Sequence, residues 1–376
     1  MKNTPRITTL TKLTLVAAAC AIVLSACGGG GGGTTTTAVT PTPAAPTPAA
    51  TVAAPAAPAT PTAPVTTAPT PTPLTANFVT SVPTPAYPTG SEELAAFNLL
   101  NAERTQCGFG KLAQNSQLDA ASKAHADYQL RNNVRSHFES LTQFPLGFTG
   151  VNDFERIAFQ GYADVGASTD LFNTFFGGDG SKTNTGAIGM RTLLSAPYHL
   201  TGLVDSYREI GVSVRNGVDV GSSIARVILQ INPAYKASAG PQLMAASDVL
   251  TYPCEGSTGV NRQLLGESPN PVPGRNLAVE PLGTAILVTV REGQTVRITS
   301  SSVTKVSTGV PVVMRAAIDN SNDPAGPCTR GCFQPHQAYV IPDGPLDANS
   351  AYNVVVAGTN NGVGFTRSFR FFTGVN

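Results

Sequence analysis

Tryptophan is absent from this 376-residue chain, and methionine and histidine occur only four times each. Charge is also scarce. Asp, Glu, Lys and Arg make up 12% of residues, about half the usual share of a globular protein. The 24 basic and 23 acidic side chains nearly cancel, leaving +1. That balance excludes the basic footprint of a nucleic-acid binder, so no nucleic-acid partner is expected. The shortage is partly local: no charged residue occurs from Leu13 through Ser91. With four His and six Cys in all, any catalytic or metal chemistry has few residues to draw on.

The N-terminus carries Lys2, Arg6 and Lys12 ahead of an apolar run from Leu13 to Ala26. That run is short for a membrane span of about 20 residues and has the length of a signal-peptide core. It ends in Leu24-Ser25-Ala26-Cys27, which resembles a bacterial lipobox. The resemblance implies a signal peptide over 1–26 and lipid on Cys27, giving the chain a membrane partner through that lipid. Gly28 stands where an inner-membrane retention signal places Asp, so the outer membrane is the expected location, on its periplasmic or its surface side. Six glycines, Gly28–Gly33, and a Thr/Pro/Ala tract follow. Such chain has too few large apolar residues to offset its ordering entropy, and 27–88 is expected to be a disordered tether.

Folded structure is expected from residue 89. Thr89 and Glu92 have capping-box spacing, and Leu94, Phe97 and Leu100 recur at helical spacing. This helix is expected to stop near Gly108-Phe109-Gly110. A second helix is expected over about 116–132, with Leu118, Ala121, His125 and Tyr128 on one face. Residues 208–216 and 224–232 are rich in β-branched residues and read as strands. Helices first and strands last indicate an α+β domain.

Six motifs in this stretch stand in one order: Asn101-Ala102-Glu103-Arg104, Leu118-Asp119-Ala120-Ala121, Arg135-Ser136-His137-Phe138, Gly161-Tyr162, Ala196-Pro197-Tyr198-His199 and Arg208-Glu209-Ile210-Gly211-Val212. Their order and spacing resemble the CAP superfamily of SCP-like proteins, in its secreted bacterial branch. The resemblance implies an α-β-α sandwich over 89–242. It also implies a cleft with two histidines and two acidic residues, which in some members hold a divalent metal such as zinc. By motif, His137 and His199 match the two histidines. The first acidic residue is where the chain departs. Alignment on Gly161-Tyr162 puts Ala167 at that position. A second alignment, on Glu155-Arg156-Ile157-Ala158, keeps Glu155 as a cleft residue but loses the Gly-Tyr landmark. For the second acid only Asp170 and Asp179 are at hand. Glu139 is another candidate carboxylate, able to join His137 if the segment is extended, since residues two apart then share a face. Two histidines alone would bind zinc weakly. His125 reads as a satisfied core residue and His336 as a surface loop residue. No Gly-x-Ser-x-Gly elbow surrounds Ser195, and Gly177–Met190 lacks P-loop spacing and reads as a flexible insertion lining the cleft.

Beyond an extended, proline-rich lead-in over 243–284, short β-rich segments recur at 285–290, 294–298, 312–315, 338–341, 352–357 and 366–372, separated by turn residues. That is the spacing of an all-β sandwich. The ending from Leu346 through Tyr352 to Thr373 resembles the last hairpin of bacterial Ig-like domains, with Tyr352 packing at the corner. The expected 285–376 domain is therefore Ig-like.

Cys107, Cys254, Cys328 and Cys332 remain after the export segment, and an oxidising compartment favours disulfides. Three connectivities exist. Cys328 and Cys332 flank Thr-Arg-Gly, whose glycine permits a tight turn, so the expected bridges are Cys328–Cys332 and Cys107–Cys254. The leading functional expectation is a lipid-anchored binding module. Its cleft, with His137 and His199, would take a lipid, a sterol-like molecule or another envelope ligand. A metal-dependent hydrolase of peptide or envelope polymer, and a non-catalytic adhesion or scaffold protein, are the alternatives.

Overall fold

A computed structural model describes residues 74–176, 180–218, 224–326 and 332–376. The signal, Cys27 and residues 28–73 of the tether lie outside these residues, as do Asp179 and Cys328. Residues 74–88, expected to be disordered, instead pair with the fold: the Val79 carbonyl accepts from the Lys111 N–H and the Leu243 carbonyl from the Asn77 N–H. In the first half the elements run α1 (Glu92–Gln106), β1 (Ala113–Gln114), α2 (Ser116–Asn132), α3 (Asp153–Phe159), β2 (Val165–Ser168), β3 (Leu171–Phe176), α4 (Thr185–Ser195), α5 (Pro197–Val204), β4 (Glu209–Val218) and β5 (Ala225–Lys236). Mixed helices and sheet make this an α+β fold.

The first helix starts two residues later than its expected cap. Ser91, not Thr89, is the N-cap, and its hydroxyl accepts from the Leu94 N–H. Glu92 serves a different helix. Its carboxylate accepts from the N–H groups of Asn184 and Gly186 and caps α4. Helix α2 begins at Asn115, whose side chain accepts from Gln117 and Leu118, and ends at left-handed Asn133. The stretch read as a flexible insertion is helical from Thr185, because Met190, Leu193 and Leu194 fall on one buried face.

The sheet runs β1-β4-β5-β2, with β3 also paired to β5. Strands β4 and β5 are antiparallel, with Val212 opposite Ile231. Strand β5 is covered on both faces. Val227, Leu229 and Ile231 join the core of α1, α4 and α5, while Ala234 packs with α2 and α3, and Ile228 with α2. Gly211 lets α2 lie directly on β4: a Cβ there would strike the Leu118–Asp119 backbone.

The second half contains β6 (Leu250–Tyr252), β7 (Ile286–Thr289), β8 (Val296–Lys305), β9 (Ile318–Asp319), β10 (Gln337–Val340), β11 (Ala351–Asn360) and β12 (Val363–Phe372). They form an antiparallel sheet β6-β7-β10-β9 and a second, β12-β11-β8. Ile286 and Val288 of the first sheet face Val303, Val354 and Phe371 of the second across one apolar core. Tyr352 packs on Phe371, and its hydroxyl accepts from the Asp347 N–H. The expected strand at 312–315 is absent. Pro311 interrupts it, and only isolated bridges form at Pro311 and Met314. Within the lead-in, Leu250–Tyr252 pairs with β7 as strand β6.

The two halves share a core. Leu287 and Tyr339 sit in the same cluster as Leu193, Leu200 and Leu229, and the Tyr339 hydroxyl donates to the Pro197 carbonyl. The described residues accordingly form one compact unit. A disulfide joins Cys107, at the end of α1, to Cys254, with Cα atoms 5.4 Å apart. The Cys328–Cys332 pairing lies outside the described residues. Among the described residues no helix is long and apolar enough to cross a membrane.

Candidate functional site

The site is built around a buried aspartate. Asp170 lies in the turn between β2 and β3. Its carboxylate accepts from His137 Nδ1 at 3.1 Å and pairs with Arg156 Nη2 of α3 at 3.2 Å. His125 Nε2 of α2 stands 3.8 Å away, and Gln230 Nε2 of β5 reaches it at 3.5 Å. Burial opposes the charge. The His137 bond, the Arg156 guanidinium and the His137 and His125 rings nonetheless hold the Asp170 carboxyl well below the usual carboxylate range. Arg156 also donates to the His137 carbonyl, so one guanidinium fixes both the acid and the backbone of its histidine.

Behind this pair lies a second one. His125 Nδ1 contacts Glu139 Oε1 at 2.9 Å, and its Nε2 donates to the Ser136 carbonyl. Glu139 also accepts from the Thr149 N–H. The expectation of His125 as a satisfied core residue agrees with this geometry. Glu139 does not join His137, because residues 133–152 form loop rather than strand and the two-residue rule does not apply there.

The other imidazole is His199 on α5. Its Nδ1 meets Glu267 Oε1 at 2.9 Å. The Glu267 side chain is fully buried, and its Oε2 has no hydrogen-bond partner among the described residues. Burial pulls the His199 pKa down, but the charge and hydrogen bond of Glu267, with help from Asp170, raise it above the ordinary value. The two imidazole centroids are 6.1 Å apart, and His137 also packs on Phe172 at 4.8 Å.

Both rings line a cavity of about 330 Å³. Phe138, Leu171 and Pro269 supply apolar wall. Asp153, Thr201, Ser268 and Gln337 supply polar wall. The Ser168 hydroxyl donates to Asp153, and the Tyr198 hydroxyl donates to Asp323. Tyr198 also stacks on Phe333 at 4.5 Å, which seats α5 against the second half.

Two sequence expectations need correction, those for Glu155 and His336. Glu155 is not on the cavity wall: it is exposed in the first turn of α3, accepting from Asn152 and from the Val151 N–H. Ala167 holds no acid, but Asp170, three residues on, supplies one to His137. His336 is not a surface residue: it is 8% exposed, and its carbonyl accepts from Val290 and Thr289. Glu267 was not anticipated, because it stands 68 residues beyond His199 in the segment expected to be a mere lead-in.

The donor set does not fit a resident metal ion. Each imidazole gives its Nδ1 to a carboxylate, leaving at most two nitrogens for the cavity. Among the described residues no group of three His, Cys, Asp or Glu is placed to hold a metal.

No family model and no curated protein matches the chain. Solved structures similar to it include an outer surface protein of Borrelia burgdorferi, at 14% identity and TM-score 0.29, covering 40% of this chain and 96% of that one. An extracellular protein containing an SCP domain from Bacillus anthracis is similar at 16% identity and TM-score 0.29. That match covers 39% of this chain and 40% of the other.

Proposed function

We propose that this chain is an exported, lipid-tethered binding module whose ligand is a small amphiphile taken into the imidazole cavity. In this reading 89–242 is a CAP-type domain, 285–376 is an Ig-like companion, and the lipid on Cys27 keeps both at the outer membrane. One observation carries the reading. Two imidazoles, each oriented by its own buried carboxylate, face one cavity that also has apolar wall. A ligand head with acceptor oxygens would take a hydrogen bond from His199, whose proton Glu267 retains. An apolar tail would lie against Phe138, Leu171 and Pro269. Pockets that mix a few oriented polar groups with apolar wall are the usual small-molecule sites.

The test is calorimetric titration of the full chain with a medium-chain fatty acid and with the matching alkane alcohol. Binding of the acid is expected to fall about tenfold in His199→Ala, roughly the value of one charge-assisted hydrogen bond. Equal affinity for acid and alcohol, unchanged in His199→Ala, would sink the proposal.

One observation favours a second reading. The His199–Glu267 pair has the orientation of an imidazole general base held by a carboxylate. A hydrolase using it would need no metal. Release of product from peptide or glycan envelope fragments, abolished in His199→Ala, would establish that reading in place of the first.

A further inference from the structure

A second cavity, of about 540 Å³, adjoins the first and shares Ser168, Asp205, Tyr207 and Gln334 with it. Its wall differs in kind. Three aromatic rings face it: Phe154 of α3, Tyr207 just before β4, and Tyr235 of β5. Two carboxylates join them, Asp205 after α5 and Glu292 from the turn between β7 and β8. No lysine or arginine lines either cavity among the described residues.

Two of the rings lie close together. Tyr207 and Tyr235 have centroids 6.4 Å apart and planes inclined at 41°, so they are splayed rather than stacked. Tyr235 lies against Gly166 of β2, where a Cβ would overlap the ring. The Cδ2–Cε2 side of the ring is thus packed on glycine backbone. The charges converge on the same ring. After burial, the negative charges of Glu292 and Asp205 are what raise the Tyr235 phenol pKa. The Asp205 carboxylate accepts from the Ser206 N–H, and buried Arg104, which donates to the Asp205 backbone carbonyl, lies near enough to interact with its charge. Glu292 makes no hydrogen bond or ion pair among the described residues and stays available. His336 is the remaining titratable group on the wall.

We propose that this second cavity is a binding site for an organic ammonium group, held by cation–π contact with Tyr235 and Tyr207 and by the carboxylates of Glu292 and Asp205. Aromatic faces attract such cations because the ring quadrupole is negative there, and ammonium groups with alkyl substituents lose little on leaving water. The carboxylates add attraction and repel anions. The site goes beyond the imidazole cavity and does not depend on it, because His137 and His199 line the first cavity only.

The test is titration of the full chain with choline chloride, followed by ligand-observed NMR at low salt and about pH 8, where histidine is neutral in its ordinary range. The control is the neutral isostere in which carbon replaces the ammonium nitrogen. Choline is expected to bind at least about tenfold more tightly than the isostere, with an affinity that falls as salt rises. Glu292→Gln, at an exposed turn, and Tyr235→Leu are each expected to weaken choline about fivefold. His137→Ala/His199→Ala is expected to leave choline binding unchanged. Equal binding of choline and isostere overturns the site, as does absence of choline binding to the wild-type chain. Unchanged binding in Glu292→Gln and Tyr235→Leu does so too, and so does loss in the double-histidine variant. Failure of the fatty-acid titration with success here would remove only the proposal for the first cavity.

Discussion

The two imidazoles of the first cavity are held in different ways. His137 leans on Asp170, which is itself locked by Arg156, Gln230 and His125, all within residues 125–230. His199 leans on Glu267, which arrives from the segment between β6 and β7 and has one oxygen without a partner among the described residues. The first pair is part of the packing of α2, α3 and the sheet. The second exists only because the proline-rich segment is laid over α5. The contrast teaches that one half of the site is protected by the stability of the fold, while the other can be tuned at little cost.

The largest expected effect tests the protected half. Arg156→Met removes the cation from buried Asp170 and leaves that charge without its cationic partner. A loss of about 3–5 kcal/mol in denaturant-derived stability is expected. A loss under about 1 kcal/mol would show that Asp170 is not held as an ion. Comparable in size is Gly211→Ala, which forces α2 off β4. A cost of about 3 kcal/mol or more is expected, read by chemical denaturation.

The disulfide comes next. Replacing Cys107 and Cys254 by alanine frees a 147-residue separation and is expected to cost about 2–4 kcal/mol. Because Cys254 belongs to the chain leading to Glu267, the change should disturb the His199 resonances in NMR spectra more than those of His137. Equal disturbance of both would break the comparison.

The smallest effect on stability sharpens it most. In Glu267→Gln the His199 pKa should fall toward or below its ordinary value. Proton NMR titration of the His199 ring reads this directly. The pH dependence has opposite signs on the two sides. His199 has a raised pKa when folded, so its contribution is complete below the unfolded histidine value, about 6.5. It is lost as pH rises through the folded value. Asp170 has a lowered pKa when folded, so its contribution is complete above the unfolded aspartate value, about 3.9. It is lost as pH falls toward the folded value. Unfolding of the wild type and of Glu267→Gln should therefore differ most on the acid side of about pH 6.5.

Local chemistry made much of the first half legible. Helix α2 was readable from end to end because its cap and its apolar spacing agree with its tertiary role. The strands β4 and β5 were readable because they are long and β-branched. The start of α1 was misplaced because Glu92 has capping-box spacing from Thr89, yet is used by α4. The strand at 312–315 failed because its backbone pairs only singly, Val312 with Val303 and Arg315 with Ile341, so no continuous ladder forms beyond Pro311. At the site, His137 and His199 could be named from their motifs. Asp170 was within view but undistinguished, since nothing local marks an aspartate that Arg156 will reach. Glu267 left no signal at all.

By itself the sequence determined the α+β character and the positions of the long helices and strands. These depend on periodicity, caps and short motifs, which act within a few residues. Only the tertiary structure decided which carboxylate serves which imidazole. It also decided that Glu139 turns to His125 and Glu155 to its own helix, and that β7 and β10 extend the core of the helical half. Those outcomes depend on which distant groups burial forces together. A buried charge takes whatever partner the packing brings within about 3 Å, and spacing along the chain carries no record of that.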